Sequence, residues 1–132
     1  MTHYVALVDG SDGAYGVAFP DIPGCTAMGA TYEEALRHAV ASLADWMSDA
    51  GDIPEPRAIE TLRLDPEVQE QLADGAAFAL VPLLLESGRP VRANLSIDAG
   101  LLSAIDSAAN AAGLTRSAFL ASAARDKILS SV

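Results

Sequence analysis

The feature that most constrains this chain is the pattern that begins at Val91. Residues 92–97 alternate polar and apolar side chains, which is the period of a strand with one solvent-exposed face and one buried face. Two helical patterns follow, and the whole stretch of about 40 residues is too short to bury a sufficient core alone. Because a lone strand also leaves both of its edges unpaired, we expect a dimer in which two copies of residues 91–97 pair as an antiparallel ribbon.

The two C-terminal helices carry clear start and stop signals. Asp98 is predicted as the N-cap of the first helix, which should stop at Gly113, and Thr115 is predicted as the N-cap of the second. Four such helices from two chains should enclose one shared core. The apolar positions expected in that dimer core are Leu95, Ile97, Leu101, Ile105 and Phe119.

Charge is distributed unevenly along the chain. Residues 1–88 carry fifteen Asp and Glu against three Arg, a net charge of −12, whereas residues 89–132 carry three Asp against five Arg and Lys, a net charge of +2. The total of −10, taken alone, argues against nucleic-acid binding, which rests on neutralised phosphates. The asymmetry instead predicts two units with different partners. We therefore place two domains at 1–86 and 87–132.

The N-terminal domain begins with a predicted hairpin. Apolar runs at residues 3–8 and 15–19 flank a cluster of Asp and Gly, which is typical of a tight turn between two strands. Residues 26–29 are a candidate third strand. Thr31 and Glu34 form a capping box that predicts the start of a long helix ending near Gly51. The apolar face of that helix is predicted from its spacing to carry Leu36, Val40, Leu43 and Met47.

Prolines shape the remainder of this domain. Residues 52–57 should be irregular because two prolines interrupt them, and Asp65 followed by Pro66 predicts the cap and first position of a short helix. Residues 78–85 favour a strand, which Pro82 restricts to a sheet edge or a bulge. The predicted fold class is therefore α+β, with a small antiparallel sheet and one packed helix preceding the dimeric C-terminal domain.

The sequence also predicts where the protein works. The longest apolar run, residues 76–85, falls short of the roughly 20 residues that a membrane span needs. No basic segment followed by an apolar stretch opens the chain, so we expect no secretion signal. The single cysteine, Cys25, cannot form an internal disulfide and fits a reducing cytosol. We expect a cytoplasmic protein without a membrane partner.

Residues 90–129 resemble a ribbon-helix-helix DNA-binding domain. The resemblance is carried by the strand Arg92–Ile97, the helix start Asp98–Leu102 and the inter-helix turn Gly113–Leu120. It implies that the outward strand residues read bases and that the start of the second helix holds a backbone phosphate. The base-reading positions are then Arg92, Asn94 and Ser96, and the phosphate positions are Thr115, Arg116 and Ser117.

Residues 3–47 are similar to the N-terminal domain of HicB antitoxins. The matching segments are Tyr15–Cys25 within the hairpin and its loop, and Ala30–Leu36 at the start of the long helix. The resemblance implies a degenerate RNase H-like domain that neutralises HicA, a small RNA-cleaving toxin. Many HicB proteins also carry a ribbon-helix-helix tail and repress their own operon, so the implied partners are a HicA-like toxin and operator DNA.

The residue chemistry agrees with these roles. A two-stranded ribbon fits the major groove, where arginine bonds bidentately to guanine and asparagine to adenine. Backbone N–H groups at a helix start suit a phosphate, and Arg116 adds charge there. The alternative is that Arg92, Asn94 and Ser96 read no bases and only form the solvent-exposed face of an amphipathic strand.

The acidic domain suits a toxin that binds RNA through a cationic surface. Its candidate contact residues compete with a simpler interpretation, in which these carboxylates are only the solvated exterior of an acidic protein. The candidates are Asp9, Asp12, Asp21, Glu33, Glu34, Asp45 and Asp49.

Enzymatic roles have weak support in the sequence. The carboxylates show no metal-ligand pattern, and Cys25 lacks a base tied to it by spacing, because the two histidines His3 and His38 lie elsewhere. We expect no catalytic residue, no metal and no cofactor. The competing function is a stand-alone ribbon-helix-helix regulator whose N-terminal domain senses a ligand or oligomerises. The operator sequence and the pairing of dimers into tetramers stay open.

Overall fold

A computed structural model describes residues 1–130 of the chain, which divides into two compact units. The first unit is Met1–Leu85 and the second begins at Glu86. None of the described helices is both long and apolar enough to cross a membrane. The elements, in chain order, are β1 (His3–Ser11), β2 (Ala14–Ala18), β3 (Thr26–Gly29), α1 (Tyr32–Asp49), α2 (Ile59–Leu62), α3 (Pro66–Ala73), β4 (Ala77–Pro82), α4 (Ala99–Ala111) and α5 (Arg116–Ser130).

The first unit is built on an antiparallel four-stranded sheet with the order β3-β2-β1-β4. The predicted hairpin of β1 and β2 is confirmed, although β1 continues to Ser11, which pairs with Ala14. Gly10 makes this close turn possible, because it has φ +102° and a Cβ there would lie 2.1 Å from the Ala14 carbonyl oxygen. Of the two positions predicted for the proline strand, a sheet edge or a bulge, the structure has the edge, since β4 pairs with β1 alone and ends at Pro82.

Helix α1 packs on one face of the sheet. The predicted N-cap is confirmed, because the Glu34 N–H donates to Thr31 Oγ1 at 3.1 Å, but among the described residues the Glu34 carboxylate does not return the second bond of a capping box. The predicted apolar face is correct for Leu43 and Met47, which are buried. The centre of the contact is nevertheless made by two alanines, Ala35 and Ala39, whereas the predicted Leu36 and Val40 are half-buried beside them.

The close approach of α1 to the sheet explains these alanines. A Cβ on Gly29 would lie 2.4 Å from the Ala35 backbone nitrogen, so the end of β3 and the start of α1 are almost in backbone contact. Only small residues allow this spacing, and larger apolar side chains are displaced to the flanks.

Helices α2 and α3 cover part of the opposite face. Leu62 and Val68 are buried there against Val5 and Leu7 of β1. The start of α3 matches its prediction, with Asp65 accepting from the Glu67 N–H at 3.0 Å and proline at the first turn. The single-turn helix α2 was not predicted, because four residues carry too little periodicity to distinguish a helix from a loop.

The second unit contains α4 and α5. Both predicted caps are confirmed: the Leu101 N–H donates to Asp98 Oδ2 at 3.0 Å, and the Ala118 N–H donates to Thr115 Oγ1 at 3.1 Å. Gly113 adopts φ +70° after α4, as a helix-terminating glycine does.

The predicted strand over residues 91–97 is wrong for the single chain. Residues 90–98 form neither strand nor helix, because a strand exists only when a neighbour supplies its hydrogen-bond ladder. The predicted dimer core is correspondingly open: Leu95 is 67% and Leu101 56% exposed, and Ile97 and Phe119 are half-buried. Among its described residues, the second unit buries only Ile105 and Ala109.

Candidate functional site

The three predicted base-reading residues lie on the exposed segment before α4. Arg92, Asn94 and Ser96 are all exposed, as solvent-facing residues of a strand should be. The apolar residues between and before them are exposed as well, with Val91 at 88% and Leu95 at 67%. Both faces of the segment are therefore open in the single chain.

This segment and the first turn of α5 line a common groove of about 330 Å³. Asn94, Arg116 and Ser117 line this groove together with apolar residues. An adjoining hollow brings Arg92 and Asn94 next to Ser117 again. The fold thus brings together two base-reading candidates and two phosphate candidates, whereas Ser96 and Thr115 line neither space.

Arg116 is engaged by a residue that the sequence interpretation missed. Its Nε and one terminal nitrogen each donate to a different carboxylate oxygen of Asp106, both at 2.8 Å. The hydrogen bonds to Arg116 lower the pKa of the Asp106 carboxyl, and the same bonds raise the pKa of Arg116. Asp106 lies on α4 and Arg116 on α5, and no local sequence pattern connects the two residues.

The other cations of the second unit differ in their availability. Arg125 forms two hydrogen bonds with Glu86, at 2.9 and 2.6 Å, which lower the pKa of that carboxyl. Arg89 and Arg92 form no ion pair among the described residues. Their charge is therefore available to an anionic partner.

One of the acidic candidates in the first unit has a structural role. Asp21 is almost fully buried, and its carboxylate accepts from the backbone and side chain of Arg57, which also bonds Asp65 at 3.1 Å. These bonds hold the segment before α2 against the domain, so we exclude Asp21 from the toxin-contact candidates. Of the remaining candidates, Glu34 is half-buried and the others are exposed, namely Asp9, Asp12, Glu33, Asp45 and Asp49.

The six remaining acidic candidates do not all lie on one face of the sheet. Four of the six belong to α1, on one face. Asp9 of β1 lies on the opposite face, because side chains alternate along a strand and its neighbour Val8 packs toward α1. The register aligns Asp9 with Gly16 and Gly16 with Met28, so these three form a row across the sheet.

The part of this face over β2 and β3 is not covered by α3. It forms a shallow groove of about 270 Å³, which we call the β2 groove. Met28, on its rim, is 71% exposed. The residues that we use to define the β2 groove are Leu7, Asp9, Gly16, Ala18, Met28 and Gln71.

The geometry favours neither a metal site nor nucleophilic catalysis by Cys25. Within residues 1–130 no three His, Cys, Asp or Glu side chains are grouped so that they could hold a metal ion. Cys25 is buried, and burial raises the pKa of its thiol, which disfavours the reactive thiolate. His38 instead bonds to the backbone, with Nδ1 at 2.6 Å from the Met28 carbonyl oxygen.

Comparisons with known proteins agree on one family. Residues 4–124 match the model of a family described as "HicB_like antitoxin of bacterial toxin-antitoxin system". An uncharacterized 14.9 kDa protein of Haemophilus phage HP1 (strain HP1c1), from the rep-hol intergenic region, is 28% identical, covering 98% of this chain and 99% of its own length.

Two crystal structures are also similar. That of antitoxin HicB3 is 28% identical, covers 96% of this chain and 98% of its own, and has a TM-score of 0.51. That of the N-terminal domain of Burkholderia pseudomallei antitoxin HicB is 25% identical, covers 64% of this chain and 100% of its own, and also has a TM-score of 0.51. The chain belongs to the HicB-like antitoxin family of bacterial toxin-antitoxin systems.

Proposed function

We propose that this chain neutralises a HicA-like RNA-cleaving toxin with its first unit and represses its own operon with its second. The observation that carries the proposal is the family match over residues 4–124, which spans both units. The charge of each unit suits the assigned partner. Residues 1–85 contain fourteen Asp and Glu but three Arg, whereas the second unit contains more Arg and Lys than Asp and Glu.

The functional boundary follows the structural one. The division lies between Leu85 and Glu86, one residue before the sequence-based boundary. The solved N-terminal domain of the Burkholderia pseudomallei antitoxin covers 64% of this chain, about the length of the first unit. We assign toxin binding to residues 1–85 and DNA binding to the remainder, and two residues of that remainder, 131–132, lie outside the described part.

A non-enzymatic role is proposed for the first unit, as a degenerate RNase H-like domain. Two-metal nuclease chemistry needs carboxylates that converge on one point. The exposed carboxylates are instead divided between α1 and the opposite sheet face, and Asp21 is occupied by Arg57. Blocking a cationic surface requires only that negative charge be displayed, which this arrangement provides.

The second unit is proposed to complete its core with a second copy of itself, as a ribbon-helix-helix dimer. Val91, Leu95 and Leu101 are each more than half exposed, and burying one such side chain contributes roughly 1.5–3 kcal/mol. Two antiparallel copies of residues 91–97 would supply one another's missing ladder bonds. Dimerisation therefore resolves both the open apolar surface and the unpaired backbone.

The DNA contacts proposed for this dimer divide by chemistry. Arg92, Asn94 and Ser96 would lie on the outer face of the ribbon, where they reach base edges in the major groove. The phosphate is assigned to the start of α5, where the backbone N–H groups of Arg116 and Ser117 have no earlier turn to bond. Thr115 serves there as the cap, and the ion pair with Asp106 fixes the position of Arg116.

The two proposed partners, a toxin acting on RNA and an operator, also imply a cytoplasmic location. Neither partner requires a cofactor, so none is proposed. In the alternative, a stand-alone regulator, the first unit senses a ligand or oligomerises and there is no toxin.

Co-purification tests the proposal directly. The chain is co-expressed with the small basic protein of a neighbouring reading frame, with a tag on one of the two. We expect a stoichiometric complex in which the partner no longer cleaves RNA, whereas the partner released by denaturation and refolding does. If no complex forms and the chain still binds its own promoter, the toxin role is wrong and the protein is a stand-alone regulator.

A further inference from the structure

The β2 groove is a part of the first unit that the fold leaves uncovered. On this face, Leu62 and Val68 fill the space over β1, but neither of the helices described on this face of the first unit, α2 and α3, covers β2 and β3. The middle strand presents only Gly16 and Ala18 there, so the centre of the sheet surface is recessed. A recess of about 270 Å³ has room for one long side chain of a partner.

The groove combines a carboxylate with apolar walls. The Asp9 carboxylate lies next to Gly16, since a Cβ on Gly16 would lie 2.9 Å from Asp9 Oδ1. The Asp9 carboxylate has no hydrogen bond or ion pair with any residue in 1–130. Met28 offers an exposed thioether on the opposite side. An aliphatic stem ending in a cation, which is the form of lysine and arginine, matches this lining.

The flank of the groove is also negative. Gln71 of α3 forms one wall. Glu67 and Asp74 stand four residues before and three residues after Gln71, so helical spacing places them on the same side of α3. A cationic surface approaching this face meets Asp9 in the groove and two further carboxylates beside it.

The edge of β3 is less suited to a partner than this face. His38 Nδ1 lies 2.6 Å from the Met28 carbonyl oxygen, and because a carbonyl only accepts, Nδ1 is the donor. The hydrogen bond occupies a backbone group that an added strand would need. A partner that reaches Met28 is therefore directed to its side chain, on the open face.

We propose that the β2 groove is the docking surface for the toxin, which inserts a lysine or arginine side chain between Asp9 and Met28. This inference rests on the proposed antitoxin function. The occupant is identified by charge, because a protein that binds RNA needs a cationic surface to neutralise phosphates. Covering that surface with the groove and its acidic flank removes it from RNA.

Introducing a positive charge into the groove tests the docking surface. The probe is the purified basic protein of the neighbouring reading frame, and its affinity is measured for full-length wild type, Asp9→Lys and Met28→Lys. The matched control is Asp52→Lys, an exposed carboxylate that follows α1 in the sequence and lines no part of the groove. We expect both groove variants to lose affinity by about tenfold or more, and the control to stay within about twofold.

Urea unfolding followed by circular dichroism, compared with wild type, shows whether the first unit of each variant has folded, and binding to the promoter fragment shows whether the second unit has. Groove variants that bind the basic protein as tightly as wild type overturn the docking surface and leave the antitoxin function standing. An equal loss in Asp52→Lys also overturns it, because the effect then belongs to net charge. If wild type itself forms no complex, both the function and the docking surface are wrong.

Discussion

Single polar side chains define where four of the five described helices begin. Thr31, Asp65, Asp98 and Thr115 each accept a hydrogen bond from a backbone N–H in the first turn of the helix that follows. These interactions join residues two or three positions apart, and replacing such a cap costs typically about 1 kcal/mol. All four caps were predictable, because the information lies within one helical turn.

Operator recognition is expected to depend on Arg92 and Asn94. Replacing both with alanine should abolish sequence-specific binding, since each bidentate base contact contributes about 1–3 kcal/mol of discrimination. Fluorescence anisotropy with the chain's own promoter fragment measures the effect. Lys127→Ala, which removes one exposed cation from α5, is the control for charge and should retain specificity. Loss of toxin neutralisation in the double variant would contradict the separation of the two activities.

The ion pair between Asp106 and Arg116 makes a prediction about pH. The hydrogen bonds from Arg116 lower the pKa of the Asp106 carboxyl, so the pair favours the folded state above the unfolded-state pKa of about 3.9. This contribution is lost as the pH falls through the lowered folded-state value. NMR titration should show Asp106 titrating below its ordinary range, and Arg116→Gln should return it to that range. A normal pKa in the wild-type protein would show that the pair does not form in solution.

At the scale of elements, the contact between β3 and α1 depends on glycine and alanine. Periodicity identified α1 and two of its buried residues, but it assigned the centre of the face to larger side chains. Gly29 and Ala35 contact each other across the turn between the two elements, and a hydrophobicity pattern does not encode that distance. The same limit applies to the row formed by Asp9, Gly16 and Met28, which exists only through the pairing of three strands.

Gly29→Ala tests this contact. The new Cβ would lie 2.4 Å from the Ala35 backbone nitrogen, so α1 must shift, and we expect the free energy of unfolding to fall by roughly 1–3 kcal/mol. Urea unfolding followed by circular dichroism measures the change. Gly51→Ala is the matched control, because nothing lies within 4 Å of its added Cβ. Equal stability of the two variants would show that α1 lies farther from the sheet.

At the scale of the whole molecule, the two units differ in how completely each buries its own core. The first has buried residues on both faces of its sheet. The second leaves most of its apolar residues in solvent, and residues 90–98 have no ladder partner among residues 1–130. The physical reason is length, because a strand and two helices do not enclose enough volume alone.

The association state should therefore respond to single changes in the second unit. Leu101→Glu places a charge in the proposed dimer core, so sedimentation velocity should show a monomer where the wild type is a dimer. Leu64→Glu is the control, because Leu64 is 77% exposed and lies in the first unit. A dimer that persists in Leu101→Glu would place the association elsewhere. DNA binding should be lost together with the dimer, because one copy cannot form the two-stranded ribbon.

The sequence by itself determined the starts of α1, α3, α4 and α5, the hairpin, the restriction of β4 to a sheet edge or a bulge, and the charge of each unit. These features depend on residue type and on spacings of a few residues, which are readable in order along the chain. Only the tertiary structure decided which alanines contact the sheet, that Asp106 holds Arg116, and that the face over β2 is open. Each of those depends on atoms brought together from distant positions, and their distances are set by packing rather than by local preference.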